Sequence, residues 1–162
     1  MSYEEKLNQL KINLPTAFTP KGVSLLSVKQ AGNILYTSGH DCRVGDELLY
    51  QGKVGSDLTI EEGREAAKQT VINCLGSIKS HLGSLNHVVQ IIKMTGYINC
   101  QSDFDQLPHI LDSASDILIS IFGVERGGHA RSAIGVESLP YRIPIEIELV
   151  VEVKTRGGKS FN

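Results

Sequence analysis

With 162 residues, 41% of them hydrophobic and 21% charged, the chain has the size and balance of one globular domain, which excludes a disordered chain and a small disulfide-stapled scaffold. A net charge of −2, with lysine and arginine scattered along the chain, gives no electrostatic ground for a nucleic-acid partner. Three cysteines at unrelated spacings, Cys42, Cys74 and Cys100, suggest neither a disulfide framework nor a zinc site, and the simpler reading is a reducing compartment. The five histidines show no HxxxH or HExxH pairing, so no metal is expected, and no phosphate-binding loop or dinucleotide fingerprint calls for a cofactor. No stretch approaches the ~20 apolar residues of a membrane span and the start lacks an apolar signal core, so a cytoplasmic protein without a membrane partner is expected.

Taken in order, Ser2 caps a short helix through about Leu10, with Glu4 and Glu5 favoured in its first turn and Asn13, Pro15 and Pro20 ending it. Residues 23–29 read as a strand, Gln30-Ala31-Gly32-Asn33 as a turn, and residues 34–38 as the returning strand of a hairpin that stops at Gly39. Residues 40–54 read as a loop with a short strand over 48–51, placed to act as a lid beside Ser38-Gly39. Thr59-Ile60-Glu61-Glu62 is a capping box that starts a helix. Ala67, Val71, Cys74, Leu75, Ile78 and Leu82 give that helix one apolar face, and Gly83 is its C-terminal cap.

Residues 88–98 (VVQIIKMTGYI) are dense in β-branched side chains and read as a buried strand. Phe104, Leu107, Leu111, Ala114, Leu118 and Ile121 make a second helical stripe, with Asp103 and Asp105 at its start, Pro108 in the first turn and Gly123 beyond its end. Residues 131–136 form a strand, and from Ile145 onward apolar residues alternate with Glu146, Glu148, Val150 and Glu152, the clearest strand period in the chain. Residues 1–156 are then one domain and 157–162 a flexible tail. Two helical stripes against several strands predict a two-layer α+β domain with the helices on one sheet face. The other face has no helical cover in the chain, and a partner subunit is its natural one.

Arg131 and Glu146 are the candidates for chemistry. A guanidinium binds a carboxylate through a planar fork, and an acid on a strand face can position a water or pass a proton. The strands bearing them are joined by a proline-containing turn, which can bring the two to nearby ends of one sheet. The pair also reads as a plain ion pair, and Glu146 with Glu148 and Glu152 also reads as a solvated ladder of acids. Ser38 and Gly39 end a strand at a bend where main-chain amides can face a ligand. His129, two residues before Arg131, can line the same mouth.

The segment HARSAIGVESLP followed by IPIEIELVVEV resembles the signature of the RidA (YjgF) family of enamine/imine deaminases, with the Arg131 to Glu146 spacing in register. Asn33-Ile34-Leu35-Tyr36-Thr37-Ser38-Gly39 resembles the family's strand ending in Ser-Gly, and the resemblance extends from about Pro20 to Lys154. The opening helix resembles a longer branch of the family.

The resemblance implies a chorismate-mutase-like sheet with two main helices on one face, assembled as a homotrimer with sites between subunits. It implies catalytic roles for Arg131, as carboxylate anchor, and for Glu146, and substrate-binding roles for Ser38, Gly39 and Ala133, with no metal or cofactor. The implied reaction is hydrolysis of reactive 2-imino or 2-enamino acids to 2-oxo acids and ammonia, a form of metabolite damage control. The alternatives are a non-catalytic module that binds a small carboxylate for regulation and, ranked lower, an endoribonuclease. Relatives that deaminate small enamines carry a tyrosine where this chain has Leu25 or Leu26, and an asparagine near Pro108. Those departures change the pocket wall and keep the anchor.

Overall fold

A computed structural model of the protein describes residues 1–18 and 21–154; Pro20 and the expected tail at 157–162 lie outside the described residues. Helix α1, Tyr3–Leu10, opens with a reciprocal cap in which Ser2 Oγ accepts from the Glu5 amide and the Glu5 carboxylate accepts from the Ser2 amide. Lys11 closes it in the left-handed region. The helix docks away from the sheet face: Glu4 accepts from Lys79, Ser84 Oγ and the Leu85 amide, and the Tyr3 ring stands edge-on to Phe122 at 4.7 Å.

An extended arm follows, and its path depends on Gly76 of the next helix, where a Cβ would collide with the Pro15 carbonyl. The strand expected over 23–29 is β1, Val28–Ala31, antiparallel to β2, Ile34–Thr37. Ala31 pairs with Ile34, so Gln30 and Ala31 belong to the ladder and the turn is only Gly32-Asn33, with Gly32 at φ +60° as a glycine-first hairpin requires. The short strand expected over 48–51 is instead a small hairpin, β3 Arg43–Val44 against β4 Glu47–Leu48, turning at Gly45-Asp46. Asp41 fixes it by accepting from the Arg43 amide and side chain.

Helix α2, Ile60–Leu82, begins at the Thr59–Glu62 capping box and ends at left-handed Gly83, as its sequence predicts. Strand β5 is Val88–Asn99. Helix α3, Leu107–Gly127, starts later than its aspartates suggest, because Asp103 takes a left-handed conformation and the chain enters helical geometry only after Gln106. Pro108 sits in its first turn, and the helix kinks at Gly123 before a further turn to Gly127. By length and apolar content alone α3 would pass for a membrane span, yet Leu111, Ala114, Leu118 and Ile121 lie in the core.

Strands β6, Ala130–Val136, and β7, Ile145–Val153, complete a five-stranded sheet in the order β1-β2-β7-β5-β6, with β5 and β6 parallel and the other pairs antiparallel. The fold is α+β, with the helices against a mixed sheet. Ile145, Ile147, Leu149, Val151 and Val153 all point into the helix side, each fully buried aliphatic worth ~2 kcal/mol. The opposite face carries Tyr36 and Ile134 at 48% and 40% exposure among its polar residues, and no helix of the described chain covers it.

Candidate functional site

At one end of the sheet a cavity of about 670 Å3 opens between the arm, the bend after β2, the β3–β4 hairpin and the segment before β7. Ser38, Gly39 and Glu146 all line it. Sequence alone leaves Glu146, Glu148 and Glu152 equivalent, and the structure separates them. Glu148 accepts from the Tyr97 hydroxyl, and Glu152 from Asn33 and Gln90. Among the described residues Glu146 has no such donor, and burial, with Glu148 and Asp41 nearby, raises its proton affinity.

The carboxylate passes directly over Gly39, where any Cβ would collide with it, and the Gly39 amide has no hydrogen-bond partner among the described residues. An unpartnered acceptor therefore stands beside an unpartnered donor. Ser38 is tied down more than expected. Its amide donates to Ser27 O and its hydroxyl to Leu26 O at 2.6 Å, so the side chain holds the arm to the sheet.

His40, which sequence reading leaves as an ordinary histidine, fixes this bend from below. Its Nδ1 lies 2.8 Å from the Ser38 carbonyl, so Nδ1 carries the proton and Nε2 accepts from Ser77 Oγ on α2, also at 2.8 Å. Burial keeps the ring neutral by lowering its proton affinity. Arg43 and Asp41 form a two-point ion pair on the wall, with the guanidinium 3.8 Å from the centre of the Phe18 ring. The two lie two residues apart in sequence, but nothing in that spacing marks them as pocket residues until the hairpin is known.

Arg131 lies elsewhere. β6 and β7 are not neighbours, because β5 runs between them. Arg131 sits opposite Met94 of β5 and Glu146 opposite Tyr97, an odd number of residues apart, so the two side chains emerge on opposite faces of the sheet. The expectation that they meet within one chain is thus corrected: the turn before β7 carries the chain across β5. Ala133 also belongs to β6, the sheet edge, and packs against the core.

Around Arg131 the structure assembles a cluster that the sequence shows only in part. Nη1 donates to Asp112 Oδ1 at 2.9 Å and to Ser115 Oγ at 3.1 Å, and Nη2 makes a longer contact to Pro108 O at 3.4 Å. His129 lies beside it, as its position suggests: Nδ1 donates to Gly127 O, and Nε2 therefore accepts from Ser115 Oγ at 3.0 Å. Burial and the charge of Arg131 hold this ring neutral. Both Nη1 hydrogens are engaged, while Nε and the second Nη2 hydrogen have no partner among the described residues. Those two form one edge of the guanidinium, the geometry of a bidentate carboxylate contact.

A mixed sheet with two long helices on one face, a roomy cavity at a Ser-Gly bend and an edge-strand arginine mark the chain as a small α+β domain with a cavity at one sheet end. The model of the family described as "YjgF/chorismate_mutase-like, putative endoribonuclease" matches residues 9–152, and the chain belongs to this family. It is 31% identical over 147 residues to Protein TCP17 of Trypanosoma cruzi, an alignment covering 91% of each chain. Among solved structures it is similar to a "putative endoribonuclease" of Shewanella oneidensis MR-1 (30% identity, TM-score 0.89, 94% of this chain and 100% of that one). It is also similar to Atu1372, a protein of unknown function from Agrobacterium tumefaciens (29% identity, TM-score 0.86, 94% and 92%).

Proposed function

We propose that the protein is a cofactor-independent deaminase that hydrolyses 2-imino and 2-enamino acids to 2-oxo acids and ammonia, working as a homotrimer in which Arg131 of one subunit reaches the Gly39–Glu146 pocket of the next. The observation that carries this reading is the unpartnered, half-buried Glu146 carboxylate beside the unpartnered Gly39 amide. Such a pair suits a cationic electrophile bearing a carboxylate. The open edge of Arg131 and the uncovered sheet face suit the assembly: the anchor and the base lie on opposite faces of one chain, and a second copy supplies what each lacks.

In this mechanism the Arg131 fork and the Gly39 amide grip the substrate carboxylate and fix C2 over Glu146. Glu146 takes a proton from water as the oxygen bonds to C2 and the C=N pair moves to nitrogen. Glu146 then returns that proton to nitrogen; as the C–N bond breaks and ammonia leaves, Glu146 takes the hydroxyl proton of the carbinol, forming the 2-oxo acid, and passes it to the departing ammonia. A carboxyl with raised proton affinity is a better base for this task than an ordinary one. Asp46, also lining the pocket, favours the cationic iminium.

A ribonuclease reading, raised by the descriptions of relatives, fares worse. Arg43 is neutralised by Asp41, and among the described residues of the same chain no other lysine or arginine lines the pocket. That leaves Arg131 of the neighbouring subunit as the one further cation of this reading to meet a phosphodiester. The test generates imino acids in place with an amino-acid oxidase and follows 2-oxo acid formation. Wild type is expected to accelerate it and Arg131→Ala to lose at least ~100-fold. Equal rates in the two proteins remove Arg131 from the site. Saturable 2-oxo acid binding without any acceleration makes the protein a binding module.

A further inference from the structure

The reacting atoms need only one corner of the cavity. The Glu146 carboxylate already lies against Gly39, so carboxylate, C2 and nitrogen would sit beside that pair, and a volume of about 670 Å3 lies within the roughly 300–1,000 Å3 of pockets that enclose ligands of drug size. The remainder is walled mainly by Phe18, Leu25, Leu48, Tyr141 and Ile143. This wall is preformed. The Phe18 carbonyl accepts from Ser27 Oγ at 2.9 Å, its ring lies against the Arg43 guanidinium at 3.8 Å, and Arg43 is held by Asp41. Across the mouth, Gln51 donates to the Tyr141 carbonyl at 2.9 Å.

The charges narrow the ligand further. Arg43 is compensated, and the other charged side chains lining the cavity, Asp46 and Glu146, are acids. With Arg131 of the neighbouring subunit taken up by the 2-carboxylate, a second carboxylate at the end of a ligand's side chain would meet no free cation among the described lining residues, whereas an uncharged apolar group would meet aromatic and aliphatic carbon.

We propose that the site selects 2-imino acids with a large apolar or aromatic side chain, of leucine to phenylalanine size, and that Phe18 and Leu25 of the N-terminal arm determine this selection. The inference rests on the deaminase reading and specifies its substrate class. Its sequence correlate is the arm itself: Leu25 puts an aliphatic group on the wall, and Phe18 comes from a segment that precedes the sheet.

The test measures binding of 2-oxo acids, the products, by titration calorimetry, alongside hydrolysis of imines made in place from alanine, leucine, phenylalanine and glutamate. Phenylpyruvate and 4-methyl-2-oxopentanoate are expected to bind roughly tenfold or more tightly than pyruvate, and 2-oxoglutarate no better than pyruvate. Phe18→Ala should reduce the phenylpyruvate-to-pyruvate ratio to within about threefold of one. Leu25→Trp, which fills the cavity and leaves the Phe18 clamp in place, should do the same.

A wild type that binds pyruvate as tightly as phenylpyruvate, prefers 2-oxoglutarate, or binds none of them overturns the inference, as does an unchanged ratio in both variants. The two readings fail separately. Side-chain preference in binding without imine hydrolysis rejects the deaminase and keeps the selection. Equal hydrolysis of alanine-derived and phenylalanine-derived imines keeps the deaminase and rejects the selection.

Discussion

Glu146 stands in its cavity with no hydrogen-bond donor among the described residues, whereas Arg131, on the opposite face of the same sheet, has both Nη1 hydrogens engaged by α3. The acid is underbonded and its proton affinity rises. The cation is held by Asp112 and Ser115, with Ser115 in turn bonded to His129, and keeps one edge open. Neither arrangement is what stability alone would select. The Arg131–Asp112 pair is partly exposed and worth about 0–1 kcal/mol, and a half-buried carboxylate without a donor costs free energy. Under the proposed function each region is half of a charge-complementary site, with β5 separating the halves in one chain.

The sharpest way to break that comparison is to make each half defective in a different subunit. Arg131→Ala and Glu146→Gln proteins are each expected to be inactive. Unfolded together and refolded as mixed trimers, they should recover about a quarter of wild-type activity, the share of interfaces that random mixing leaves with both intact residues. Verified mixed assemblies with no recovered activity would show that the two residues do not serve one site. Next in size is Gly39→Ala. The added Cβ displaces a flexible glutamate side chain, so the melting temperature should stay near wild type while turnover falls ~100-fold. Unaltered turnover would mean that the carboxylate works from another position.

Much of this arrangement is legible in the chain. The Ser2 cap, the capping box at Thr59, the Gly83 cap and the alternation from Ile145 all rest on local physics, and the structure agrees with them. Residues brought together by topology are less legible. Arg131 and Glu146 are close in sequence and joined by a turn, but whether the next strand pairs with its predecessor or crosses another is decided by the whole sheet. Asp112 and Ser115 lie three apart on one side of α3, a spacing that acquires meaning only when β6 is known to run beside that helix. His40 was hidden for a similar reason: its partner Ser77 comes from α2, distant in sequence.

A smaller effect sharpens the guanidinium half. Ser115→Ala removes one of the two bonds on Nη1 and releases His129 Nε2, so the fork loses orientation while keeping its charge. KM for the imino acid is expected to rise about tenfold or less with kcat held within about twofold, and Ser115→Thr, which keeps the hydroxyl, should restore it. A fall in kcat at constant KM would place Ser115 in the chemical step and out of the anchor.

The smallest effects are in stability, where the two histidines and Glu146 titrate in opposite senses. The lowered proton affinities of His129 and His40 mean that the unfolded chain takes up protons first as the pH falls through 6.5. Stability should therefore drop on acidification below that point, by at most about 1.4 kcal/mol per pH unit for each ring. The raised proton affinity of Glu146 acts in reverse: the folded state holds its proton longer, so its contribution declines as the pH rises above 4.5. Glu146→Gln removes only this second limb. Its melting temperature should match wild type near pH 4 and exceed it slightly at pH 8, with the histidine limb unchanged. A variant less stable than wild type at pH 8 would mean that the carboxylate has a donor in the assembled protein, and that the underbonded acid belongs to the isolated chain alone.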